Sequence, residues 1–364
     1  MLIRDLLADP KIVTQWSQVQ WDLMLQQGYA SGMLARAYAL LKMLDLLEHI
    51  PDPMVWHLTS AYQMAIAHQE DTQLEIDAIR QALKPTEIEP VFLKGAAYIV
   101  CDDAAHLGRL FADVDIFVPH EKLAMVEQIL HWQGWRTKAL DAYDDAYYRQ
   151  WMHEIPPMVN QQRGTTLDVH HNLLSLVGRI TLDATLLAQN IQHNSDGCCT
   201  LAPEDRVLHS AAHLLLGGDF KHGFRDLSDL DLLLKQLHKT DPNFWPTLQH
   251  RADQLGLGLV LYYCLRNCHQ LMHTPIPDSA LQASQRHAPG AIQRRIMDAC
   301  FSRVLAPPHE SCQAIGVGIA TLALFIRAHW LIMPTRLLLP HLYHKSFITP
   351  YHAWKKARQL KRQA

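Results

Sequence analysis

The run Ala112-Asp113-Val114-Asp115-Ile116-Phe117-Val118 has the apolar character of a buried β-strand, yet two of its positions are aspartates one residue apart. Side chains at i and i+2 of a strand point to the same face, about 6.6 Å apart at roughly 3.3 Å per residue, so both carboxylates look the same way. Anions beside an apolar core must be solvated, protonated or matched by opposite charge. A fold that accepts this strand either frays it into water or sets it beside a cation, and a divalent metal is the natural partner for two carboxylates.

The neighbouring segments supply context for the pair. After breaks at Lys84-Pro85 and Glu89-Pro90, Val91-Phe92-Leu93 reads as a short buried strand ending in Lys94-Gly95. Gly95 lets backbone approach a ligand and opens a helix from Ala96 to about Cys101, whose bare first amides suit phosphate. Pro119 starts a second helix with Leu123, Val126, Ile129 and Leu130 on one face, closed by Gly134. Trp135 to Thr137 begins a further strand, 139–153 is aromatic and polar, and Pro157–Gln161 with Thr165–His171 forms a hairpin around Arg163-Gly164.

Alternation along the last arm puts Leu167 and Val169 on one face and Asp168 and His170 on the other. A third acid thus stands on a second strand. Three carboxylates from adjacent strands can hold two Mg²⁺ or Mn²⁺ ions about 3.5 to 4 Å apart, the arrangement that activates an attacking oxygen and stabilises a leaving one; hard oxygen ligands favour these ions over zinc. Arg109, four residues before Asp113, offers a fixed fork for phosphate oxygens, with a salt bridge to Asp113 or Asp115 as its simpler role. His170 either touches nucleotide or metal-bound water, or steadies Asp168.

The flanks read as helical. Residues 1–85 carry Leu34, Tyr38, Leu41 and Leu44 at helical spacing, in about three helices. Residues 86–175 hold the α/β unit, and 176–364 are helical, with Val207, Leu208, Ala211, Leu214 and Leu215 followed by Leu227, Leu230, Leu234 and Leu237. The expected fold is therefore α+β: a small mixed sheet between an N-terminal helical region and a C-terminal helical domain. His209 and His213 share a helix face without the glutamate of a zinc-protease motif, and Cys264 and Cys268 are buried apolar side chains. Ala314 to Met333 is the longest apolar stretch, but Arg327 and His329 interrupt it. A span needs roughly 20 residues, so a buried helix is expected, peripheral membrane contact being the alternative. The segment 352–362 concentrates five positive charges around Trp354 and Leu360; it reads as a solvated tail, with steering of an anionic acceptor or a membrane surface as the other roles.

Composition narrows the function classes. With 364 residues and a formal net charge of −3 there is no global case for nucleic acid. The 23 histidines turn the net charge positive as pH falls through roughly 6.5. Seven cysteines without a Cys-x-x-Cys pair argue against a disulfide framework, and the acidic start Met1-Leu2-Ile3-Arg4-Asp5 is no secretory signal, so a reducing cytoplasm is expected.

These residues carry a resemblance. A glycine after a first strand, an Asp-x-Asp on the next and a later strand acid resemble the DNA polymerase beta-type nucleotidyltransferase superfamily. Within it, Leu93-Lys94-Gly95, Arg109, Asp113-Val114-Asp115 and Asp168-Val169-His170 are similar to the uncharacterised nucleotidyltransferase family of bacterial biosynthetic clusters, whose members read Leu-Lys-Gly, Arg, Asp-x-Asp and acid-x-His. The likeness covers about Val91 to Leu173 and extends weakly through the C-terminal helices, while residues 1–80 add little. One departure is Gly95-Ala96, where the wider superfamily has Gly-Ser or Gly-Gly, so the serine hydroxyl to the terminal phosphate is missing.

The resemblance implies Asp113, Asp115 and Asp168 as catalytic metal ligands for Mg²⁺ or Mn²⁺. Lys94, Gly95, Arg109 and His170 fall to the nucleotide, an NTP donor. A similar acidic helix follows the catalytic unit in the family, so Arg225-Asp226-Leu227-Ser228-Asp229 either borders the cleft or is a capped, solvated helix start. The expected activity moves an NMP to a hydroxyl or phosphate of an unknown acceptor, a small molecule, saccharide or modified peptide. The rivals are transfer of a sugar or phosphate group, and a nucleotide-binding scaffold without turnover. Mass gain of the product separates the first, and tight Mg-NTP binding without pyrophosphate release marks the second.

Overall fold

In the computed structural model, which describes residues 1–138, 140–349 and Arg358, short apolar runs bounded by turn residues pair into a seven-stranded mixed sheet. The strands are β1 (Val91–Leu93), β2 (Asp113–Phe117), β3 (Trp135–Thr137), β4 (Met158–Asn160), β5 (Thr166–His170), β6 (Ile191–His193) and β7 (Cys199–Leu201). Their order is β3-β4-β5-β2-β1-β7-β6. The pairs β2/β5 and β1/β7 are parallel, and the other four are antiparallel.

Alternation decides what each face meets. Phe92, Val114, Ile116, Leu167 and Val169 enter one core, with Ile76 and Ile79 from the helix Asp52–Leu83 and Val126 and Leu130 from the helix Leu123–Trp132. Leu93 and Phe117 point the other way, into a larger core shared with the helices Pro203–Leu216 and Gly223–Thr240. Asp113, Asp115, Asp168 and His170 have the parity of that second face. A one-residue slip of β2 would drive its aspartates into the first core and expel Val114 and Ile116, each worth about 1.5–3 kcal/mol when buried. Register and function are thus fixed by the same residues.

The fold is α+β with helical flanks, as the sequence predicts. Two differences stand out. The β6/β7 hairpin at 191–201 adds two strands that the sequence reading left out, since Ile191-Gln192-His193 has one apolar residue in three. The apolar stretch at 314–333 forms the helix Val317–Ile332, but it is not the buried helix expected: Ala320, Leu324 and Ala328 are buried, whereas Ile319 and Ile326 are exposed. It packs along one face only, where Arg327 donates to the Leu215 carbonyl at 2.7 Å. No helix among the described residues is long and apolar enough to cross a membrane. The basic segment at 352–362 lies, apart from Arg358, outside the described residues.

Candidate functional site

Parallel pairing of β2 and β5 sets Asp115 opposite Asp168, with Asp113 opposite Thr166 and Phe117 opposite His170. On the other side, β1 pairs Leu93 with Asp115. The chain then turns sharply at Lys94, whose φ of +44° lies in the left-handed region and costs a lysine roughly 1–2 kcal/mol. Lys94 donates from Nζ to Asp115 Oδ1 at 2.7 Å. The same oxygen stands 2.8 Å from His170 Nε2, and since a carboxylate only accepts, the imidazole donates.

Burial pushes the Asp115 carboxyl upward, but Lys94 and then His170 outweigh it and hold it well below the usual carboxylate range. Its neighbours behave oppositely. Burial, followed by the Asp115 and Glu154 carboxylates, pushes Asp168 up to about 7, and burial with Asp115 raises Asp113 as well. Asp168 Oδ1 is buried with no hydrogen-bond partner. The cluster therefore holds more acid than its own cations neutralise.

One cleft opens on this face. Lys94, Arg109, Asp113 and Asp115 line it from the α/β unit, and His213, Arg225, Asp226 and Asp229 line it from the helices 203–216 and 223–240. The Arg225–Asp229 helix start thus borders the cleft and is not the solvated cap that the sequence alone also allowed. Asp168 and His170 are not on the cleft wall; they sit beside Glu154, whose Oε2 is 3.4 Å from His170 Nε2.

Arg109 pairs with neither strand aspartate. Its Nε donates to Asp229 Oδ2 at 3.0 Å, and its guanidinium lies 5.3 Å from the Phe111 ring and 5.7 Å from the Tyr98 ring. Asp229 Oδ1 in turn meets Arg36 Nη1 at 2.7 Å. Arg36 also donates to the carbonyls of Leu107 and Ala105 at 3.0 and 2.6 Å, tying the segment before β2 to the N-terminal helices. Gly95 makes room for Arg109: a Cβ there would stand 2.5 Å from Nη1 and 2.9 Å from the Phe111 ring.

The sequence reading passed over Glu154, His153, Asp229 as a partner of Arg109, Arg36 and Tyr98. Glu154 forms an isolated bridge with His170, and an acid next to a histidine at the end of an otherwise aromatic stretch was the one available signal. His153 stacks near His170, ring centroids 5.3 Å apart, and burial with the His170 and Lys94 charges keeps its imidazole well below the usual range. His209 is held well below by burial and Lys94, and His213 is lowered to about 3 by Lys94 and burial. Both rings are neutral parts of the cleft's surroundings.

Among the described residues two groups bring ligand atoms within reach of one ion: His153, Glu154 and His170, and Glu89, His193 and Cys199. The three aspartates are not such a group in this arrangement. Their hard oxygens, the unpartnered Asp168 Oδ1 and the surplus of acid nevertheless suit a divalent cation of the Mg²⁺ type.

A mixed sheet that gathers acids on one face, beside a lysine and an arginine at a cleft, makes a charged site of the kind that can hold and neutralise phosphate groups. The chain belongs to the family described as Uncharacterised nucleotidyltransferase, which matches residues 17–273. That span takes in the N-terminal helices from residue 17 onward, including Arg36, to which the sequence reading gave little weight. No curated protein and no solved structure matches the chain.

Proposed function

We propose that the protein transfers a nucleoside monophosphate from an NTP to a hydroxyl or phosphate oxygen of a small molecule, saccharide or modified peptide. The observation that carries this reading is the in-register pairing of Asp115 with Asp168, two residues along β2 from Asp113, with Lys94 and Arg109 lining the adjoining cleft. Asp113, Asp115 and Asp168 would hold Mg²⁺ or Mn²⁺, which when bound neutralises triphosphate charge and makes the acceptor oxygen more acidic.

The chain's own residues do the rest. Lys94 and Arg109 supply positive charge to the triphosphate from one wall of the cleft. His170, donating to Asp115, fixes that carboxylate's orientation, and Asp229 fixes Arg109. The acceptor oxygen attacks the α-phosphorus, the bond to the bridging oxygen breaks, and pyrophosphate leaves with that electron pair. Asp168 takes the acceptor's proton through the carboxylate oxygen that does not face the cation. Positioning and charge neutralisation supply the catalysis, so no protein nucleophile is required.

Incubation with each α-labelled NTP, Mg²⁺ and an extract of the producing cells tests the proposal. The expected result is label in a product heavier by one NMP, with stoichiometric pyrophosphate. A product gaining a hexose or a phosphate alone, or tight Mg-NTP binding without pyrophosphate release, overturns it.

A further inference from the structure

The helix Val317–Ile332 is apolar apart from Thr321, Arg327 and His329 and is packed along one side, with Arg179 lying over the Trp330 ring. Its inner stripe, Ala320, Leu324 and Ala328, is at most 4% exposed. On the opposite side Ile319 is 77%, Leu322 57%, Ile326 59% and Trp330 48% exposed, and Ile315, just ahead of the helix, is 97% exposed. The spacing of three and four residues aligns them in one stripe. The next helix, Thr335–Tyr343, adds Leu339 at 63%. A contiguous apolar surface of this kind marks an interaction face and not ordinary surface scatter.

Charge selects the occupant. After Glu310 the chain contains no aspartate or glutamate and eight lysines and arginines, although its overall net charge is −3. Arg327 is turned inward onto the Leu215 carbonyl and the rings of Tyr263 and Phe301, and Lys345 pairs with Asp144 at 2.7 Å, whereas Arg336 is exposed at the head of the next helix. Five of the eight cations follow in 355–362, interleaved with Trp354 and Leu360. This region also lies beyond the family match, which ends at residue 273. Isoleucine, leucine and tryptophan in one stripe, followed in the sequence by an acid-free cationic segment, are complementary to acyl chains beneath anionic headgroups. Nucleic acid would use the cations and gain nothing from the isoleucines.

We propose that the exposed Val317–Ile332 stripe docks the protein peripherally on a membrane surface rich in anionic phospholipid, toward which the acid-free, cation-rich sequence after Glu310 adds attraction. The 16-residue helix lies in the interface; it is too short to span a hydrocarbon core of roughly 30 Å at about 1.5 Å per residue. This docking is independent of the nucleotide chemistry.

Co-sedimentation of the full chain with vesicles of phosphatidylcholine alone, and with about one third phosphatidylglycerol, tests it. Binding is expected to the anionic vesicles only and to weaken as salt is raised. The double variant Ile319→Glu with Ile326→Glu should bind about tenfold more weakly or worse, with an unchanged thermal melt because both side chains are exposed. Lys355→Glu with Lys356→Glu should weaken binding at low salt. No binding to anionic vesicles at low salt, or binding indifferent to the isoleucine pair, overturns the proposal. So does a dimer, seen by light scattering, that the isoleucine variant turns into monomer while vesicles are ignored.

Discussion

Two buried charge clusters stand on the same side of the sheet, and they differ in balance. Around Asp229 the charges close: one carboxylate lies between the guanidinium groups of Arg36 and Arg109, and Arg36's other donors reach backbone carbonyls and Ser228. Around Asp115 they do not close. Lys94 and His170 satisfy Asp115, but Asp168 has no cation in ion-pair contact among the described residues, and its carboxyl is pushed up to about 7. A balanced cluster holds the N-terminal helices, the segment before β2 and the helix 223–240 together. An unbalanced one is the kind of place that a ligand of opposite charge would stabilise.

The sharpest way to break this contrast is to remove the centre of the balanced cluster. Asp229→Ala leaves two guanidinium groups facing each other in the interior, and removal of one partner from a buried pair costs about 3–5 kcal/mol. Urea denaturation should show a large drop in midpoint. Transfer activity falls with the folded fraction and through the freed Arg109. A midpoint near that of wild type would mean that Asp229 is not the keystone.

Asp113→Asn is the complementary change. Asp113, at the start of β2, is open to solvent at its edge although the surrounding protein desolvates its carboxyl enough to raise it, and its side chain has no hydrogen-bond or ion-pair partner among the described residues. Its loss should leave the unfolding curve within about 0.5 kcal/mol. Turnover should fall by on the order of 10² to 10³ or more, the scale for losing one charge-stabilising group. Asp115→Asn is a poorer probe of chemistry, because it also removes the partner of buried Lys94 and His170.

What could be read without coordinates follows the same division. The strand acids were legible because period-two alternation puts Val114, Ile116, Leu167 and Val169 on one face, which leaves Asp113, Asp115, Asp168 and His170 on the other. The pairing of Arg36 with Asp229 was not, since it joins two helices far apart in the chain and neither flank shows an unusual local pattern. Nor was the partner of Arg109, which the sequence placed near Asp113 because they are close along the chain. The open face of 317–332 was hidden for a different reason: a helix apolar on nearly every side has no periodicity that separates a buried stripe from an exposed one.

Protonation of Asp168 sharpens the comparison further. A carboxyl raised to about 7 on folding, from 3.8, contributes stability that is complete below the unfolded value and is lost as pH rises through the folded one. In the absence of divalent ions Asp168→Asn should therefore be progressively more stable than wild type between about pH 4 and 7, by on the order of 4 kcal/mol at the alkaline end. Saturating Mg²⁺ should shrink that gap by stabilising wild type. A pH-independent difference would place the acid surplus elsewhere.

The smallest change tests whether the two clusters are joined. Gly95 follows Lys94 of the unbalanced cluster and lies against Arg109 of the balanced one. In Gly95→Ala the new Cβ meets Arg109 Nη1 at 2.5 Å and the Phe111 ring at 2.9 Å, distances real Cβ atoms do not sustain. A guanidinium at the far end of a flexible side chain yields more readily than a ring packed in the wall, so Arg109 should shift and weaken its bond to Asp229. The stability cost should be about 1 kcal/mol, at the low end for overpacking. The larger consequence falls on the nucleotide. With Arg109 displaced, the KM for NTP should rise severalfold while kcat changes less, because ground-state charge pairing is lost and the aspartates on β2 and β5 are untouched. A fall in kcat at constant KM would instead show that Arg109 acts only as the bond to alpha-phosphate breaks, and would move it from the binding wall of the cleft to the reacting centre.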